Sequence, residues 1–128
     1  LSTLEDVIAG KRPVLVIASD ALHLAFLAER PVRPGHTIVA TREVFDAVFD
    51  LPAERHAALW AFVQHVALRL RERLPCARVC VSVIGWAVRH AHVHLIPTDA
   101  AGQVPGLDGP PVPPEVACEL AARLREPD

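Results

Sequence analysis

The chain has 128 residues, a formal charge of −2 with histidine neutral, and 52% hydrophobic residues. That length supports one core rather than two, and the charge argues against a nucleic-acid partner held by a general basic surface while leaving room for one phosphate site. No apolar run approaches the roughly eighteen residues of a membrane-spanning helix, so no membrane partner is expected, and the N-terminus lacks the basic-then-apolar layout of a signal peptide. Cys76, Cys80 and Cys118 form no CxxC pair. A disulfide scaffold or zinc ribbon is not expected, and a reducing cytoplasm is.

Ser2-Thr3-Leu4-Glu5 reads as a capping box, which predicts a short helix through Val7 and Ile8 that stops at Gly10. Pro13 precedes a strand over 14–18, Ser19-Asp20 signals a turn, and 21–28 is the returning strand of a hairpin. Pro31, Pro34 and Gly35 break the chain before a third strand over 36–40. The segment 43–49 is expected to be a turn or a single helical coil. Pro52 opens the main helix, with Glu54 in the first turn where the dipole favours an acid. Leu59, Phe62, Val63, Val66, Ala67, Leu70 and Leu74 form its apolar stripe, His56 and His65 read as surface or boundary residues, and Pro75 ends it. Residues 78–84 and 88–96 alternate as two strands able to pair, with a break at Gly85-Trp86. A loop rich in glycine and proline and a short helix over 115–125 complete the chain. The order α-β-β-β-α-β-β before that loop predicts an α+β fold with a mainly antiparallel sheet.

The chemistry concentrates in His90-Ala91-His92-Val93-His94-Leu95-Ile96. An extended chain sends every second side chain to one face, so the three imidazoles are expected in a row, backed by Ala91, Val93 and Leu95 in the core. Such a row can attack, protonate or bind a metal.

This stretch resembles the His-φ-His-φ-His-φ-φ signature of the histidine-triad (HIT) family of nucleotidyl hydrolases and transferases. Pro31-x-x-Pro34-Gly35-His36-Thr37-Ile38-Val39 and Val7-Ile8-Ala9-Gly10-Lys11-x-Pro13 are similar to two further family segments. Val83-Ile84-Gly85 and Glu43-Val44-Phe45-Asp46 look most like a bacterial branch with a shortened segment before the triad. The resemblance implies a single HIT-like domain over 1–128, a homodimer with a shared sheet, a nucleotide or nucleotide-conjugate substrate, and no cofactor. It implies His92 as the nucleophile on the α-phosphorus and His94 as a donor to a phosphate oxygen. His90 and His36 would complete the hydrogen-bonded histidine group, and Leu4, Val7 and Phe26 would line the base pocket. Neutral imidazole is nucleophilic at neutral pH, which suits the first of these roles.

Several positions depart from the family pattern. Trp86 and Ala87 stand where Gln and Ser or Thr usually bind phosphate, and Ala28 stands where an aspartate usually holds the ribose. Glu29 is expected on the other face of its strand, and Arg89 could supply a replacement charge by turning toward the phosphate. The leading expectation is a phosphoramidase or nucleotide hydrolase. The second is a nucleotide- or partner-binding protein with little turnover. A zinc site on three imidazoles ranks last, because the surrounding sequence explains the row without a metal.

Overall fold

The computed structural model describes residues 3–104 and 109–127. Helix α1 (Thr3–Ile8) leads into β1 (Val16–Ser19), β2 (His23–Leu27) and β3 (Thr37–Thr41). A 3-10 turn (Val48–Asp50) and the long helix α2 (Ala53–Arg73) follow, then β4 (Arg78–Ser82), β5 (His92–Thr98) and α3 (Pro114–Leu124). The expected capping box rests in part on Ser2, which lies outside the described residues. All strand pairs are antiparallel, in the order β1-β2-β3-β5-β4, so the expected α+β architecture is the observed one.

Alternation decides which face each side chain takes. Ala25, Leu27, Val39, Val93 and Leu95 face the helices, where Leu59, Phe62, Val63, Val66, Leu70, Ala121 and Leu124 close the main core. Leu59, Leu70 and Leu95 are fully buried, each contributing roughly 1.5–3 kcal/mol by leaving water. The stripe predicted for α2 is the buried one, with Ala67 and Leu74 partly buried beside it.

The other face is covered only in part. Leu24, Phe26 and Ala40 pack against Leu4 and Val7 of α1. That helix is only six residues long, and the sheet surface toward β5 stays open beyond it. The register places His94 between Ile38 and Ser82, and His92 opposite Ala40.

All five strands differ from expectation at their ends: β2 begins at His23 rather than residue 21, β3 is offset by one residue, and β4 stops at Ser82 rather than residue 84. β1 begins at Val16 rather than residue 14, and its register on β2 shifts between Val16 and Ala18. β5 begins at His92 rather than residue 88 and runs through Pro97 to Thr98. At its start the ladder fails because the Ala91 amide bonds the Phe45 carbonyl (2.7 Å) and His90 turns its ring to Thr41. At its end pairing with β3 stops at Leu95, and only β4 continues alongside. Thr98 turns its carbonyl to Ala77 on the β4 side, so the neighbouring Pro97 points its missing N–H the other way, where no ladder bond is lost.

Candidate active site

The open part of the sheet is a cavity of about 400 Å³. Its floor is apolar, made by Leu4 and Val7 of α1, Phe26 of β2 and Ile38 of β3. His36, His92 and His94 meet there. Ile84 to Val88, the connection from β4 to β5, form one rim, and Arg12, Ala28, Glu29 and Arg30 form another. The expected base-pocket residues Leu4, Val7 and Phe26, together with Trp86 and Ala87, therefore share one cavity with two of the three triad histidines.

The hydrogen bonds fix which nitrogen of each imidazole carries the proton. The Val32 amide donates to His36 Nδ1 at 3.2 Å, so the His36 proton sits on Nε2. His36 Nε2 then donates to His94 Nδ1 at 2.9 Å. His94 consequently carries its own proton on Nε2 and can donate into the cavity. His92 has the opposite tautomer. Its Nδ1 donates to the His90 carbonyl at 2.6 Å, which leaves a bare lone pair on Nε2. The His92 and His94 rings are 5.1 Å apart and nearly perpendicular.

Burial keeps both rings neutral. The pKa of His94 is pushed down to about 4, by burial first and then by its neighbours His92 and His36. That of His92 is lowered as well, chiefly by burial, against a raising contribution from its bond to the His90 carbonyl. A neutral His92 keeps its Nε2 lone pair free to act as a nucleophile, and a neutral His94 with its proton on Nε2 still donates.

Three expectations are corrected. His90 does not stand in the row: it precedes the strand, is fully buried, and donates from Nε2 to the Thr41 carbonyl at 2.6 Å. Its backbone carbonyl accepts from His92 Nδ1, and its ring is a further influence lowering the His92 pKa. Arg89 does not line the cavity: Asp46 takes its Nε and Nη2 at 2.8 and 2.5 Å. Glu29 is not on the far face, because β2 ends at Leu27 and alternation no longer applies two residues later. It lines the cavity, and Arg12 binds it through two contacts of 2.7 Å. That hydrogen-bonded pairing holds the Glu29 carboxyl below its usual range.

Sequence reasoning missed Arg12, Arg30, Ile38 and Val88 as lining residues. Ile38 was recoverable, since it lies two positions after His36 and shares its parity. Arg12 and Glu29 carry no local signal, because the β1–β2 hairpin brings them together from 17 positions apart. Among the described residues, no group of three or more His, Cys, Asp and Glu side chains is disposed to hold a metal ion.

The HIT domain family matches residues 9–101, which span both the Gly35-His36 turn and the histidine strand. The chain belongs to the HIT family. An uncharacterized HIT-like protein of Mycobacterium tuberculosis is 33% identical over 96 residues, covering 71% of this chain and 67% of that protein. The bis(5'-adenosyl)-triphosphatase of Dictyostelium discoideum is 28% identical over 81 residues, or 59% of this HIT chain. That match spans only 54% of the Dictyostelium protein, about half its length. A hypothetical histidine triad nucleotide-binding protein of Sulfolobus tokodaii superposes with a TM-score of 0.85 at 22% identity, over 96% of this chain and 89% of that one. Its likeness extends the HIT fold beyond residues 9–101 into α3. Among the described residues no helix is long and apolar enough to cross a membrane.

Proposed function

We propose that this HIT protein hydrolyses a nucleotide conjugate through a nucleotidyl intermediate on His92. The observation that carries the reading is the pair of opposite tautomers: His92 is left with a lone pair on Nε2, and His94 with a proton on Nε2. His92 Nε2 attacks the α-phosphorus, an N–P bond forms, and the bond to the leaving group breaks with its electron pair going to that group, which takes a proton from water. His94 donates to a non-bridging oxygen as negative charge builds there. Water then attacks phosphorus, the N–P bond breaks, and the nucleotide leaves. His36 and the His90 carbonyl position the two rings. Leu4, Val7, Phe26 and Ile38 offer an apolar slot for the base, and Arg30 offers positive charge at its edge beside the neutralised Arg12–Glu29 pair. The triphosphatase activity named for the Dictyostelium relative belongs to the same class of chemistry.

On this reading the chain is one domain of the bacterial branch with a shortened pre-triad segment. It works as a homodimer in the cytoplasm, where its three free cysteines stay reduced. A second reading, a binding protein with little turnover, is favoured by one specific observation: Ala87 and Val88 give the rim beside the triad no polar side chain for phosphate, and Asp46 pairs with the neighbouring Arg89.

The deciding experiment incubates protein with adenosine phosphoramidate and a panel of dinucleotides, quenching early. An acid-labile nucleotidyl mass on His92, lost together with turnover in His92→Ala, is the expected result. Wild-type turnover by His92→Ala would overturn the assignment. Nucleotide binding with neither adduct nor turnover would favour the second reading.

A further inference from the structure

The rim formed by the β4–β5 connection differs chemically from the floor it borders. Leu4, Val7 and Phe26 are buried, and their floor can receive one flat ring unaided. Trp86 lines the same cavity, yet 82% of it is exposed. An indole left that open costs free energy in water unless something covers it.

The neighbours of Trp86 narrow what can do so. Ala87 and Val88 have no hydrogen-bonding side chain, and Asp46 holds Arg89 away from the cavity. Apart from the indole N–H, the side chains of this rim therefore offer no hydrogen-bonding group to a sugar or a second phosphate, and no carboxylate to an ammonium. What they do offer is a flat apolar face, which stacks on planar rings largely regardless of their identity. Gly85, at φ +82, turns the chain into this rim, and no atom lies within 4 Å of where its Cβ would be, so packing does not pin the turn in place.

Resting on the reading of His92 as nucleophile, we infer that Trp86 contacts the leaving group, and that the substrate is a nucleotide conjugate whose departing group is planar and aromatic. The floor takes the nucleoside and the indole takes the group expelled from phosphorus. Trp86 is then the residue that sets leaving-group specificity.

The test uses two esters of one nucleoside 5′-monophosphate, made from naphthylmethyl and cyclohexylmethyl alcohols, with each enzymatic rate divided by that ester's own uncatalysed rate to remove the difference in leaving-group acidity. Wild type should prefer the naphthylmethyl ester by roughly tenfold or more in kcat/KM, the size expected for stacking one ring. Trp86→Ala should bring the two rates together, and Trp86→Phe should retain part of the preference. Equal rates in wild type, or an undiminished preference in Trp86→Ala, would overturn the inference. Loss of both rates together with a fall in oligomeric mass would also overturn it, by assigning Trp86 to a subunit contact. Phosphonate analogues of both esters separate this inference from the reading beneath it, with quenching of Trp86 fluorescence followed in a Trp60→Phe background. If wild type hydrolyses neither ester but binds the naphthyl analogue more tightly through Trp86, the aromatic contact stands and the His92 chemistry falls. Equal hydrolysis of both esters has the reverse meaning.

Discussion

His36 Nε2 lies 2.9 Å from His94 Nδ1, and because the Val32 amide already occupies His36 Nδ1, the proton between the two rings belongs to His36. A backbone amide before β3 thus determines that the proton of His94 sits on Nε2. His36→Ala should lower kcat by roughly ten- to a hundredfold, less than outright loss of a donor to a developing charge. His36→Asn, which keeps an N–H donor, should recover part of the rate. The acid limb of the pH profile should move in the alanine variant, since His36 is one of the groups depressing the His94 pKa. An unchanged kcat and profile would show that the relay does not matter.

His92 and His94 titrate below the ordinary imidazole range, which sets the pH dependence. Their folded pKa values are depressed, so between about pH 6.5 and 4 the unfolded chain binds more protons than the folded one. Stability is therefore fully present above pH 6.5 and is lost as pH falls toward 4. The acid limb of kcat/KM should sit in that same window, below the midpoint of a free histidine. Thermal melts and pH–rate profiles from pH 4 to 8 check both. A rate that halves near pH 6.5 would contradict the burial of His92 and His94.

The Arg12–Glu29 pair is an exposed bidentate contact on the cavity wall, and such pairs contribute about 0–1 kcal/mol to stability. Its importance should lie in binding. Arg12→Ala and Glu29→Ala are each expected to change KM severalfold while Tm hardly moves. An unchanged KM in both, measured on the best substrate of the panel, would remove the pair from the site.

The strand edge offered by β4 should be covered. Val81, Val83 and Ile84 are about half exposed on or just beyond this edge, and an open apolar strand edge invites pairing with a second copy. Light scattering after size exclusion should give twice 13.9 kDa, and Val81→Glu should shift the mass toward the monomer. A wild-type monomer at micromolar concentration would exclude the shared sheet.

What the sequence made legible follows from local periodicity. The alternation around Val93 and Leu95 identified both the core face and the chemical face of β5, and the stripe from Leu59 to Leu70 identified the buried side of α2. Periodicity does not say where a ladder stops. His90 fits the alternation perfectly well, yet it leaves the row because Thr41 and Phe45 offer its ring and its neighbour better partners than a ladder would. Glu29 was misplaced for the same reason at the end of β2. The pairings Arg12–Glu29 and Arg89–Asp46 were illegible because each joins segments that only the folded sheet brings together, and the opposite tautomers of His92 and His94 depend on partners distant in sequence or on exact backbone geometry.

Gly35 ties the fold to the chemistry most directly. It has φ +89, a conformation that costs an L-residue roughly 1–2 kcal/mol. An added Cβ would also meet Leu74 Cδ1 at 2.4 Å and Pro97 Cγ at 3.0 Å. The leucine tip can swing aside, but the proline ring is fixed in β5 and cannot. Gly35→Ala should therefore cost about 2–3 kcal/mol, the strained backbone plus a modest overpacking penalty. Because His36 is the next residue, the shift should also lengthen its bond to His94, lowering kcat even at temperatures where the variant is fully folded. Gly102→Ala is the control: it shares a positive φ of +83, but nothing lies within 4 Å of its Cβ position and it is remote from the cavity. It should show the backbone cost alone, with kcat unchanged. If Gly35→Ala, folded and corrected for concentration, turns over at the wild-type rate, then His36 does not owe its place to this turn.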